Sequence, residues 1–148
     1  SEPADFLGTL KDLEKVLRAS DVVVLSLPLT KETRGLIGKE QLEWMKPDSI
    51  LVNVARGQII DEEALYNHLK SHPDFYAGID TWWEEPRGGQ NFHTNYPFFD
   101  LPNVLGSPHN SSIIPDIIVS ATRDAAKNIR PLLSGEQANG ILRREDYI

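Results

Sequence analysis

The chain has 148 residues, 40% hydrophobic and 25% charged, which is enough apolar content for one packed domain and too much for a disordered segment. Its 22 acidic against 15 basic residues leave a net charge of -7, which argues against a nucleic-acid or anionic-membrane surface. There is no cysteine, so disulfides, thiolate metal sites and a cysteine nucleophile are excluded.

Leu10, Leu13, Val16 and Leu17 recur at helical spacing and predict a helix that ends at Ser20-Asp21. VVVLSL (22–27) is a continuous β-branched run, the pattern of a strand buried on both faces, and Pro28 closes it. Residues 39–46 predict a short helix with Leu42 and Met45 inward. Pro47-Asp48 turns the chain into the strand SILVNV (49–54). Gly57 permits a tight turn, and Asp61 caps a helix to about Lys70 that buries Ala64, Leu65 and Leu69. FYAGI (75–79) predicts a third strand after the loop at His72-Pro73. Residues 81–102 form a long irregular flap, packed by Trp82, Trp83, Phe92, Tyr96, Phe98 and Phe99. VLGS (104–107) is a fourth strand. Pro115 suits the first turn of a long helix carrying Ile118, Ala121, Ala125 and Ile129; Pro131 kinks or ends it, and Gly135 stops it. No apolar run approaches the ~20 residues of a membrane helix, and no secretory signal precedes the first helix, so a cytoplasmic location is expected.

Strands alternating with helices imply an α/β fold with about four parallel strands, right-handed crossovers and helices on both faces. VVVLSL reads as a central strand, yet residues 1–9 are too short and polar to supply a neighbour for its outer edge. Either the sheet continues in another part of the gene product, or a second chain covers the edge; self-association through residues 22–27 is expected of the chain alone.

Three polar residues stand where apolar runs stop: Arg56 after SILVNVA, Asp80 after FYAGI and His109 after VLGSP. Parallel strands would bring all three to one carboxyl edge, where open α/β sheets bind ligands. Arg56 suits bidentate binding of a carboxylate, or pairs with Asp61 or Glu62 at the surface. His109 suits proton exchange near neutral pH, or is structural. Glu85 gains meaning beside His109, because a carboxylate on one ring nitrogen fixes the tautomer. Asp80 accepts a hydrogen bond from a ligand amide or caps a turn. Glu84 reads as solvated charge, His68 and His72 as solvated positions around a helix end, and His93 as part of the flap. Gly57 and Gly88-Gly89 lack the strand-to-helix setting of a phosphate-binding glycine loop. A metal-dependent hydrolase built on Asp80, Glu84, Glu85 and His109 is an alternative, although no second histidine has ligand spacing.

Taken in order, SDVVVLSLPLTKETRGLIGKEQLEWMKPDSILVNVARGQIIDEEAL, AGIDTWWEEP and LPNVLGSPH resemble the D-isomer-specific 2-hydroxyacid dehydrogenases, over roughly residues 10–134. The resemblance implies an incomplete Rossmann-like parallel sheet. Residues 1–134 would be the C-terminal half of an NAD(P)-binding domain, and 135–148 a tail returning towards an absent substrate domain. It implies NAD or NADP as cofactor, a small 2-hydroxy or 2-oxo acid as substrate and a homodimer. Arg56 in Asn53-Val54-Ala55-Arg56-Gly57 would bind the substrate carboxylate, Glu85 before Pro86 would be the acidic partner, and His109 the proton donor and acceptor. Val54, Ala55 and Arg56 would lie against the nicotinamide, Asp80 would contact its carboxamide, Pro28 and Thr33 would lie towards the adenosine, and His109 and Asn110 would also be cofactor-binding. Two features depart from the family: Asn110-Ser111-Ser112 replaces small residues after the histidine, and the flap is longer and more aromatic. The glycine fingerprint and the first two strands of the cofactor domain are not matched, so weak or no NAD binding by the chain alone is expected. An NAD-sensing corepressor-like protein and an inactive truncated domain are the alternatives on this fold.

Overall fold

A computed structural model describes residues 4–86, 92–137 and 145. Four short strands, β1 (Val22–Leu25), β2 (Ile50–Asn53), β3 (Tyr76–Ile79) and β4 (Val104–Gly106), form one sheet in the order β1-β2-β3-β4. All pairs are parallel, with Val23, Leu51, Ala77 and Val104 in register across the sheet.

Helices α1 (Leu13–Ala19), α2 (Lys39–Trp44) and α3 (Glu62–Ser71) pack side by side on one face. Leu17, Leu42, Leu65 and Leu69 from the helices meet Leu25, Leu51, Ala77 and Ile79 from the strands in one buried cluster. Asp61 caps α3 by accepting the Ala64 N–H at 2.8 Å.

The expected parallel four-stranded sheet with helices is present, and the described helices that pack on it, α1 to α3, lie on one face. The strand order advances in a single direction, and right-handed crossovers then deliver every connecting helix to the same side. Alternate residues of each strand point the other way and stay exposed: Val22, Val24, Ile50, Tyr76 and Leu105, the last at 79%. VVVLSL is accordingly not buried on both faces. Its strand spans only Val22–Leu25, and β1 is an edge with no partner on its outer side among the described residues.

Two further helices, α4 (Ile117–Lys127) and α5 (Ile129–Leu133), bury no residue. The break between them falls at Asn128, directly after Lys127, whose carbonyl four residues before Pro131 is the one the proline ring opposes. Gly135 then ends α5 in the left-handed region at φ 73, and the Glu136 N–H closes the end on the Pro131 carbonyl at 2.8 Å. Most of the tail assigned to 135–148 lies outside the described residues, as do Gly88 and Gly89.

The flap packs as its aromatics require. Phe98 is fully buried, stacks on Trp83 at 5.3 Å between centroids and meets Tyr66 of α3 edge-on at 5.5 Å. The Trp83 indole donates to the Ile60 carbonyl at 2.6 Å and that of Trp82 to the Ser107 carbonyl at 2.8 Å. This segment takes the place of a crossover helix between β3 and β4.

His68 corrects another expectation. It shares the inward face of α3 with Leu65 and Leu69, is 9% exposed, stacks on His72 at 4.0 Å and abuts Phe75 edge-on at 4.7 Å. Burial, aided by His72, pushes its imidazole down from 6.5 to about 4. Below pH 6.5 the unfolded chain gains a proton that the folded chain refuses until about pH 4, so stability falls as pH drops through that window. Urea midpoints at pH 7 and pH 5 should therefore differ more in the wild type than in His68→Phe; equal differences would refute the assignment.

Candidate active site

Asn53 shapes the end of β2. Its side chain is 1% exposed, accepts the Ala55 N–H at 3.0 Å and donates to the Arg56 carbonyl at 2.9 Å. A buried amide so paired fixes the Val54–Arg56 turn, because opening it would strand polar atoms in the core. Arg56 emerges in extended geometry, with Nη1 donating to the Ala55 carbonyl at 2.6 Å. Among the described residues no carboxylate pairs with it. Asp61 caps α3, and Glu62 accepts the Asn95 backbone N–H and amide at 3.0 and 2.8 Å.

Two open clefts meet at Arg56. One, of about 610 Å³, runs between Ser26–Leu29 and Val54–Ala55; the other, of about 350 Å³, is bounded by Leu29, Gln58, Trp82, Trp83, Glu85 and Pro86. Gly57 lines the smaller of the two. It opens the expected tight turn, a 3-10 turn over Gly57–Ile59, without adopting positive φ, so backbone conformation is not what requires glycine here. A Cβ there would sit 2.3 Å from the Trp82 carbonyl carbon, and only glycine lets the flap cross so closely.

His109 and Glu85 are joined directly, Nδ1 to Oε2, at 2.8 Å. The other Glu85 oxygen accepts the Trp82 N–H at 3.2 Å, which fixes the carboxylate from behind. Both side chains are 37% exposed. They line a 390 Å³ hollow with Trp82, Pro86, Phe92, Pro108 and Ser112. Trp82, Glu85 and Pro86 thus form a wall shared between the hollow of His109 and the cleft of Arg56. A carboxylate on Nδ1 holds the proton there and leaves Nε2 as the exchanging nitrogen.

Asp80 is 4% exposed at the end of β3. One oxygen accepts the Ser107 hydroxyl at 2.6 Å and the Asn110 N–H at 3.0 Å; the other accepts the Ser111 hydroxyl at 2.5 Å and N–H at 3.2 Å. Burial opposes ionisation, but these donors outweigh it and hold the carboxyl down to about 2. The ionised clasp is therefore intact above about pH 3.8 and is lost as pH falls through about 2.

Thr33 is 7% exposed, donates to the Pro28 carbonyl at 2.7 Å and accepts the Thr30 N–H at 2.8 Å. It braces the loop whose Pro28 faces the larger cleft. Glu84 pairs with His93 at 3.0 Å, both exposed. Among the described residues no group of three or more His, Cys, Asp or Glu could hold a metal ion, so the hydrolase alternative gains no geometry. No described helix is long and apolar enough to cross a membrane. A separate groove of about 480 Å³ on the helical layer, between α2 and α3, contains none of the expected site residues.

Residues 2–111 match the profile of the D-isomer specific 2-hydroxyacid dehydrogenase NAD-binding domain. The chain belongs to this family. It is 39% identical over 125 residues to a glyoxylate/hydroxypyruvate reductase B of Enterobacter agglomerans, covering 84% of this chain and 37% of that protein. A D-isomer specific 2-hydroxyacid dehydrogenase of Xanthobacter autotrophicus, solved with NADPH and MES, superposes with a TM-score of 0.74 at 34% identity, over 90% of this chain and 52% of the other. A D-lactate dehydrogenase of Lactobacillus jensenii, solved with NAD+, gives 0.67 at 30% identity, over 88% and 42%. The chain spans well under half the length of the curated relatives it matches.

Asn53, Ser107 and Ser111 escape a search for chemistry in the sequence. The one visible signal is a carboxamide within the apolar run SILVNV. Gly57→Ala should cost about 1–3 kcal/mol, because the flap backbone must move. A urea midpoint equal to wild type would show that the close approach is not a constraint.

Proposed function

We propose that this chain supplies the reacting half of an NAD(P)-dependent D-2-hydroxyacid dehydrogenase, with residues 1–134 as the C-terminal half of the cofactor domain. The observation that carries the reading is the 2.8 Å Glu85–His109 bond beside an arginine that, among the described residues, pairs with no carboxylate, at the carboxyl edge of a parallel sheet. NAD or NADP, when bound, would supply or accept the hydride. The larger cleft fits a nicotinamide ring in chemistry: Val54 and Ala55 offer an apolar side, and Ser26–Leu29 form the opposite wall, braced at Pro28 by Thr33.

Each residue has one task. The Arg56 guanidinium binds the carboxylate of a small 2-oxo acid and orients its carbonyl. Nε2 of His109 delivers a proton to the carbonyl oxygen in reduction and removes it in oxidation. Glu85 keeps Nδ1 protonated and steadies the charged imidazole. Trp82 and Trp83 shield the site from water, and Asn53 holds the turn that presents Arg56. Pro28 and, through it, Thr33 shape the cofactor wall; Asn110 ties the histidine loop to Asp80. The same reading takes the complete protein as a cytoplasmic homodimer, which sedimentation and fractionation would check.

The test uses the full-length protein with NADH or NADPH and glyoxylate, hydroxypyruvate and larger 2-oxo acids. Turnover is expected. His109→Gln should lower kcat by roughly 10²–10⁴. Arg56→Lys should raise KM for the 2-oxo acid and lower kcat/KM by about 10–100-fold, since a lysine cannot make the bidentate contact. No turnover with either cofactor across the series would overturn the proposal.

A further inference from the structure

We propose that Ser111 and the buried Asp80 form a clasp that holds His109 in its reactive position, which makes Ser111 a positioning residue. The inference rests on the dehydrogenase reading for its catalytic consequence, but its geometry stands independently.

His109 has φ 51, in the left-handed region that a non-glycine residue holds only when its surroundings over-determine it. Packing does not do so here, because Pro108 through Ile114 are all exposed. Hydrogen bonds from both sides of the histidine do. Ser107 precedes it and Asn110 and Ser111 follow it, and all three donate to the one carboxylate of Asp80. Asp80 stands at the end of β3, a fixed point of the sheet. With both flanks tied to that point, Pro108-His109 must bulge outward, and the ring reaches Glu85 at 2.8 Å.

The Ser111 hydroxyl contact, at 2.5 Å, is the shortest of the set, and it is the one that a side-chain change removes without disturbing the core. The carboxylate has about four acceptor positions, and these donors fill them.

The experiment compares Ser111→Ala and Ser111→Thr with wild type in the full-length protein. Proton NMR with ¹⁵N-histidine labelling follows the downfield Nδ1–H resonance of His109, assigned by its loss in His109→Gln. The resonance should be present in wild type, broadened or lost in Ser111→Ala, and restored in Ser111→Thr. In steady-state kinetics Ser111→Ala should lower kcat by about tenfold while KM for NADH stays within about twofold, and threonine should restore kcat. An unchanged resonance in Ser111→Ala would overturn the clasp whatever the activity. Unchanged kcat beside an active wild type would overturn its positioning role. A wild type without turnover would instead sink the dehydrogenase reading, with the clasp still decided by the resonance.

Discussion

Asn53, Ile79 and Gly106 lie side by side in a parallel register, and this alignment governs the rest of the molecule. Strands that run the same way must end on the same edge. Whatever follows each of them is then delivered to one rim, however far apart the segments are in the chain. Arg56, Asp80 and His109 follow those three strand ends by one to three residues. Had one strand been antiparallel, its polar residue would have emerged at the opposite edge and no shared cleft would exist.

Register brings the segments together, and buried polar pairing turns proximity into geometry. Asn53 and Asp80 are almost wholly enclosed, and each directs its side chain at the loop beyond a strand end. Neither could remain unpaired at that depth without a cost of about 1–3 kcal/mol or more. The loops therefore take the conformations that satisfy them. The flap completes the rim. It crosses Gly57 at a distance no side chain would tolerate and lays Trp82 against Gly106, where a Cβ would meet the indole at 2.8 Å. Two glycines thus let one aromatic segment form the wall between the Arg56 cleft and the His109 hollow.

The single direction of the strand order has an opposite consequence. It stacks the three packed helices on one face and leaves Val22, Val24, Ile50, Tyr76 and Leu105 exposed on the other. The outer edge of β1 has no partner among the described residues. In a doubly wound sheet the chain reverses at a switch point, and helices from the other half cover that face. The coverage of the curated relatives, 37% and 39% of their length, is in keeping with a sheet that shows one winding direction.

The sequence by itself determined the four strands, the buried leucines of α1 to α3 (Leu17, Leu42, Leu65 and Leu69, though not the exposed Leu10 and Val16), the helix stop at Gly135 and the candidate trio of Arg56, Glu85 and His109. Each of these is written in local patterns: β-branched runs, a 3.6-residue period, a cap, or a motif in fixed order. Tertiary structure alone decided the rest. Which face of VVVLSL is bare depends on the winding direction, a property of four strands together. Gly57 does open a turn, but its need for glycine shows only when the flap is seen pressing on it, and His68 reads as solvated until α3 is docked. Ser111 looks like any exposed loop serine, because its partner lies 31 residues away in the chain. Local pattern fixes which elements form; contacts between residues distant in sequence fix what each polar side chain is for.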